Sequence, residues 1–138
     1  MKAQKIYNIA LAIMDEYLTN GQMDTTSTKD YAGRTPDILT MLDAQVYMEI
    51  VKVNDSISMP DIVTSMNTDI DFEDEICAGI LPVGLAAYLL MQENQAIALQ
   101  LLSLFQNKLA SVSGQYRAKG TIIARDDEYY SLNITNDC

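Results

Sequence analysis

The sequence predicts an all-α protein: a small bundle of about four main helices with a central antiparallel helical hairpin, one long irregular loop and an extended C-terminal tail. Apolar residues recur at helical spacing along most of the chain, and Asn-Gly, Thr-Pro and Asn94 mark helix ends. A chain of 138 residues can bury its own core as one domain. The two cysteines match no disulfide framework, metal site or redox motif.

The first predicted helix has an unusually wide apolar face. One stripe consists of Ile6, Ile9, Ala10, Ile13 and Tyr17, and a second lies beside it, with Tyr7, Leu11, Met14 and Leu18. Asn20-Gly21 is typical of a helix end, because glycine adopts the left-handed terminal conformation without strain. So wide a face is expected to need cover from several neighbours, within the bundle or from another subunit.

The second helix is expected to begin at Thr35-Pro36, because proline at the first helical position loses no hydrogen bond. Ser27 and Asp30 before it would cap only a short turn. The core seam is Leu39, Leu42, Val46, Ile50 and Val53. Met41 and Met48 flank this seam; we interpret them as core rather than as a binding groove. The side predicted to face water is Asp37, Thr40 and Asp43.

Residues 54–72 lose the helical period, and a structureless link of this length is unusual in a compact domain. We expect this stretch to pack along the body or against a neighbouring subunit. An acidic cluster follows, from Asp69 to Glu75. It fails as a calcium loop, because the sixth position is Asp74 instead of glycine and the twelfth is Ile80 instead of glutamate. The carboxylates instead indicate a helix start, where they interact favourably with the helix dipole.

The central hairpin is predicted from one helix over Ile76–Met91, apolar all round, and a second over Ala96–Ser113 with Asn94 as its N-cap. The polar residues 92–95 form the turn between them. The apolar run is too short and too interrupted by Gly79, Pro82 and this turn to cross a membrane, and no membrane partner is predicted. The N-terminus does not resemble a secretion signal.

Residues 115–138 are predicted to form an extended or flexible tail after a helical domain of residues 1–114. Its apolar and aromatic residues favour strand formation. Two uses remain open: the tail adds a strand to a partner's sheet edge, or it has no role.

The composition argues against catalysis and specific nucleic-acid binding. The formal net charge is -10, which repels a phosphate backbone. Basic residues are scattered, apart from Arg117, Lys119 and Arg125, which we interpret as solubilising charge in preference to a DNA contact. The chain has no histidine and no nucleotide-binding or nucleophile motif. We therefore predict no enzyme activity, cofactor or metal.

Three stretches resemble a known family: "ALAIMDEYLTNGQMD", "DYAGRTPDILTMLDAQV" and above all "EICAGILPVGLAAYLLMQENQAIALQLLSLFQNKL". The last has Leu-Pro, a small-residue helix, an acidic or amide turn and a long closing helix. In these features the chain resembles the small helical head-to-tail connector proteins, also called adaptor or head-completion proteins, of tailed bacteriophages and prophages. Val83 stands where that family often has an aromatic residue.

The resemblance implies a homo-oligomeric ring in the virion neck, present in the bacterial cytoplasm before assembly. Its expected partners are further copies, the portal protein and a downstream neck or tail protein, with DNA passing through unbound. The apolar residues predicted to contact partners are Ile57, Met59, Ile62, Val63, Ile122, Ile123, Tyr129, Tyr130 and Leu132. Two alternatives stay open: a small helical prophage module that binds a host protein, and a metal-dependent hydrolase that uses the acidic clusters.

Overall fold

The computed structural model describes the backbone of residues 1–17, 25–51 and 56–127, and the side chains of residues 1–15, 30–51 and 56–114. The all-α prediction is confirmed. The helices are α1 (Ala3–Tyr17), α2 (Thr25–Val51), α3 (Asp74–Gly79), α4 (Leu81–Leu90) and α5 (Gln95–Asp127). Because α3 has only six residues, four main helices build the bundle. Within the described ranges, extended pairing is limited to an isolated bridge between Lys2 and Asp69.

Helix α4 is the centre of the bundle and packs against α1, α2, α3 and α5. All of its residues except Tyr88 are buried, which agrees with the prediction of a helix that is apolar all round. Gly84 marks the closest approach: a Cβ atom there would lie 2.8 Å from Phe105 Cδ1 on α5 and 3.0 Å from Leu42 Cδ2 on α2. Three helices therefore meet where a glycine leaves room for their side chains.

The run predicted as one helix from Ile76 to Met91 is divided at Ile80 into α3 and α4. The cause is Pro82, which lacks the N–H that the Ala78 carbonyl would accept and whose ring crowds that carbonyl. As predicted, the acidic cluster starts a helix, with Asp74 and Glu75 in the first turn of α3. The prediction of a continuous helix was wrong because Pro82 interrupts the helical hydrogen bonding at this point.

Helix α2 begins at Thr25, ten residues before the predicted start, and has Pro36 in its interior. Tertiary contacts hold the turns before the proline. Tyr31 is buried, and the Arg34 guanidinium donates from Nη2 to the carbonyl of Leu89, 3.4 Å away at the end of α4. The Thr35 hydroxyl donates to the Tyr31 carbonyl at 2.7 Å. These contacts offset the hydrogen bond that Pro36 cannot make.

Asn94 caps α5 as predicted: its side-chain oxygen accepts from the Ile97 N–H at 3.2 Å. The predicted end at Ser113 was wrong, because α5 continues through Gly114 and Gly120 to Asp127. Each glycine costs about 1 kcal/mol in a helix, but Gln, Arg, Ala and Lys around them favour helix. The extended conformation predicted from residue 115 is therefore wrong for 115–127. Residues 128–138 lie outside the described chain, and the division at residue 114 stays a prediction.

The irregular stretch of residues 56–73, here called the connecting segment, packs along the body as expected. Its carbonyls cap the start of α1: Ala3 N–H donates to Thr68 at 2.9 Å and Gln4 N–H to Met66 at 2.9 Å. The first N–H groups of a helix have no partner within the helix, so a segment distant in sequence supplies one. The connecting segment thus stabilises α1 as well as linking α2 to α3.

Candidate interaction surfaces

The connecting segment carries an exposed apolar surface, which we call the loop patch: Ile57, Met59 and Ile62, with the carboxylates of Asp61 and Asp71. Met59 and Ile62 are each 70% exposed, and Ile57 is half-buried. Ile57, Met59 and Asp71 also line a pocket of about 350 Å³ that includes Phe72. Two large apolar side chains so fully exposed, beside a pocket, are typical of an interaction surface.

Val63 was predicted as a partner contact, and the structure contradicts this. It is 2% exposed and belongs to the core. Its N–H donates to the Thr40 hydroxyl on α2 at 3.0 Å. Because a residue anchored in the core cannot reach a partner, Val63 holds the loop patch in place and does not contribute to its surface.

A second apolar surface lies between α2 and α5, and we call it the methionine groove: Met41, Ala44, Met48, Leu109 and Ala110, with Phe105 among its lining residues. Its volume is about 700 Å³. Met41 is 39% exposed and Met48 is 60% exposed, so their interpretation as core residues was wrong. They are spaced seven residues apart on the flank of the buried seam, on the side that α5 leaves partly open.

Asp43 was predicted to face water, and it is buried. The residue is 1% exposed, and neither carboxylate oxygen has a hydrogen-bond partner. Burial raises the pKa of this carboxyl from 3.8 to about 7, because the charged form loses its hydration. Thr40, also assigned to the water-facing side, is half-buried and binds the connecting segment. The connecting segment therefore covers α2 at Thr40, whereas Asp37, the third residue assigned to this side, is exposed as predicted.

Cys77 lies in the core, as predicted, and its thiol is held there. It donates to the Phe72 carbonyl across 3.3 Å. Burial raises the pKa of the Cys77 thiol to about 11, the amino group of Met1 acts against this rise, and the Asp43 carboxyl adds to it. Because a thiol is nucleophilic only as the thiolate, Cys77 is unsuited to catalysis.

Charge is strongly segregated along the chain. Residues 56–80 contain six acidic side chains and no basic one. Residues 94–125, which include nearly all of α5, contain four basic side chains and no acidic one. The four are Lys108, Arg117, Lys119 and Arg125. The net charge of -10 is therefore unevenly distributed. The charged side chains of residues 56–80 are all negative, and those of residues 94–125 are all positive.

The part of the chain that the structure describes contains no group of three or more side chains suited to hold a metal ion. Among the described helices, none has the length and hydrophobicity needed to span a bilayer. No known protein family, curated protein sequence or solved structure matches the chain.

The other residues predicted to contact partners fall at the C-terminal end. Ile122 and Ile123 belong to α5, whose backbone is helical there. Backbone groups paired within a helix are not free to add a strand to a partner's sheet, so strand addition by residues 121–124 does not fit this conformation. Tyr129, Tyr130 and Leu132 lie outside the described residues.

Proposed function

We propose that the chain is a non-enzymatic structural protein of a tailed-phage or prophage neck. Copies would form a ring that joins the portal of the capsid to downstream neck or tail components and encloses the DNA channel. The observation that carries this proposal is the presence of two separate apolar surfaces on one small chain, the loop patch and the methionine groove.

A closed ring of identical subunits needs two different surfaces on each subunit, because its contacts are head-to-tail. The two surfaces meet this requirement because they flank different sides of α2. The Thr40 hydroxyl binds the connecting segment, whereas the next residue, Met41, lines the groove. Successive residues of an α-helix point about 100° apart. One subunit can therefore contact a neighbour on each side.

The charge of the chain also supports a channel component. A ring with a formal charge of -10 per subunit repels the phosphate backbone, so DNA would pass without being held. The resemblance in sequence to connector proteins adds the portal and the next neck or tail protein as partners. The proposed location is the virion neck, with the bacterial cytoplasm as the place of the chain before assembly.

The decisive experiment mixes the chain with the portal protein of the phage or prophage from which it would come and examines the mixture by electron microscopy. We expect a ring of this chain on the portal. A double variant, Met59→Asp with Ile62→Asp, should lose the ring because it places charges on the loop patch. Leu104→Asp, a change on an exposed face of α5 outside both surfaces, should keep it. If neither ring nor portal complex forms with the wild-type proteins, the proposal is wrong.

A second function, a small helical prophage module that binds a host protein, is favoured by the methionine groove alone. Flexible, polarizable methionines suit a surface that accepts the apolar face of a partner helix. This candidate predicts a chain that stays monomeric in sedimentation experiments and has no affinity for the portal. Substituting Met41 and Met48 by lysine would abolish binding of the host protein while Met59→Asp would leave it unchanged.

A further inference from the structure

We propose that the proton on Asp43 controls whether the connecting segment stays closed over α2. With the carboxyl protonated, the segment remains attached to α2. With the carboxyl ionised, the segment separates from α2 far more often and displaces the loop patch that it carries. This inference goes beyond the proposed function, because it describes the chain by itself and holds for any partner of the loop patch.

The first argument is the state of the Asp43 side chain. The residue is 1% exposed, and neither carboxylate oxygen has a hydrogen-bond partner among the described residues. A buried carboxylate without a partner is strongly unfavourable, whereas the protonated form loses much less on leaving water. The chain therefore has to bind a proton at Asp43 or let water reach the carboxyl.

The second argument is position, because Asp43 lies between two attachments of the connecting segment. Thr40, one turn earlier on α2, accepts from the Val63 N–H at 3.0 Å. Asp43 is also close enough to Cys77 to raise the pKa of its thiol, and this thiol donates to the Phe72 carbonyl at 3.3 Å. Separation of the segment from α2 would therefore bring water to Asp43.

The third argument is that the connecting segment separates from the body more easily than a helix does. Residues 56–73 are irregular, and among them only Val63 and Ile70 are buried. In contrast, nine of the ten residues of α4, which also packs against α2, are buried. A segment with few buried apolar residues opens at a lower free energy than the core of a protein. Opening of the segment thus relieves an ionised Asp43 before the helices separate.

The neighbouring groups do not neutralise Asp43. Those that act on the Cys77 thiol beside it are the Met1 amino group, Asp71 and Asp74. The amino group donates to a carbonyl of the connecting segment at 3.1 Å, and the two carboxylates add negative charge. Burial raises the pKa of the Cys77 thiol and of the Tyr7 phenol on α1, so both stay uncharged at pH 8. Helix α4 carries no charged side chain.

The direction of the pH dependence follows from linkage. The pKa of the Asp43 carboxyl is about 7 with the segment closed, against 3.8 for a hydrated carboxyl. The closed state therefore binds the proton more tightly, and its advantage over the open state is lost as the pH rises from 3.8 to 7. Between pH 5 and pH 8 the open fraction should rise about a hundredfold.

The test is native-state hydrogen exchange of single amides, measured by NMR at pH 5 and pH 8. The results are expressed as protection factors, which remove the direct effect of pH on exchange chemistry. The probe is the Val63 N–H, and the reference is the Leu85 N–H in α4. In wild type, protection of Val63 should fall about a hundredfold between the two pH values. Low urea should leave the exchange of Val63 unchanged, because a local opening exposes little surface. Leu85 should stay better protected than Val63 at both pH values.

The decisive variant is Asp43→Asn, in which the side chain cannot ionise. Protection of Val63 should then differ by less than about threefold between pH 5 and pH 8. Asp43→Ala also lacks the titrating group and should behave in the same way, which guards against a disturbance caused by the new amide. Asp37→Asn, an exposed change on the same helix, should keep the wild-type pH dependence.

Three results would overturn the inference. One is equal protection of Val63 at pH 5 and pH 8 in wild type, and another is wild-type pH dependence in both variants of Asp43. The third is equal protection and equal urea dependence of Val63 and Leu85 at pH 8, since the whole bundle would then unfold in place of the segment. Failure to form a ring on the portal would refute the proposed function and leave this inference unaffected.

Discussion

The unpaired carboxyl of Asp43 should make the stability of the protein depend on pH in an unusual direction. Most proteins lose stability on mild acidification, because paired carboxylates become protonated. Asp43 is buried without a hydrogen-bond partner, and burial raises the pKa of its carboxyl to about 7. The perturbation is Asp43→Asn, which keeps the shape of the side chain and removes its charge.

The expected magnitude follows from linkage between proton binding and folding. The pKa of Asp43 is about 7 in the folded chain, against 3.8 without the fold. The folded state therefore binds the proton more tightly, and its contribution to stability is lost as the pH rises from 3.8 to 7. Above pH 7 the buried charge costs about 4 kcal/mol, and at pH 5 the cost is less than half of that.

The assay is urea unfolding of wild type and Asp43→Asn at pH 5 and pH 8. The variant should be more stable at pH 8, and its advantage should shrink by about 3 kcal/mol at pH 5. Taking the difference between the two chains removes the titration of all other groups. Asp37→Asn, an exposed change on the same helix, should shift stability by less than about 0.5 kcal/mol at both pH values. An advantage of Asp43→Asn that is equal at pH 5 and pH 8 would refute the reasoning.

Three further predictions concern packing. Gly84→Ala should destabilise the protein by about 1 to 2 kcal/mol, because the new Cβ would come within 2.8 Å of the buried Phe105 ring. Gly33→Ala has open space around it and should stabilise the protein by up to about 1 kcal/mol in the same urea titration. Leu101→Ala should cost about 2 to 5 kcal/mol of unfolding free energy, and the half-exposed Leu99→Ala under about 1 kcal/mol; equal costs would mean that the buried face of α5 is misassigned. The Cys77 thiol should resist alkylation in the native chain and react in urea, measured by mass spectrometry of its peptide; rapid native labelling would contradict its burial.

Patterns that depend on a few neighbouring residues were predictable. The hairpin of α4 and α5, the Asn94 cap and the start of α3 at the acidic cluster all follow from local periodicity and helix-end chemistry. These signals act within one or two turns of helix, so they can be recognised without knowing the rest of the fold. At two of the wrong boundaries, Thr25 and Asp127, a proline or glycine suggested an end that longer-range packing or propensity overrode. At the third, Ile80, the proline did end a helix that had been predicted as continuous.

The candidate surfaces were only partly predictable. Met59 and Ile62 were predicted to contact partners because their irregular segment is apolar enough to need burial along the body or against a neighbouring subunit, and both are exposed. Val63 lies in the same segment but is buried, because its backbone N–H binds Thr40, a residue 23 positions away in the sequence. Spacing alone could not separate these neighbours, since an irregular segment has no period that assigns alternate residues to opposite sides.

The sequence by itself determined the helical class, the central hairpin and the segregation of charge, because these depend on residue type and spacing. Only the tertiary structure decided that Asp43 is buried, that Met41 and Met48 line a groove, and that the connecting segment caps α1. The physical reason is common to all three. Which side of a helix is covered depends on the elements that pack against it, and those elements lie far away in the sequence.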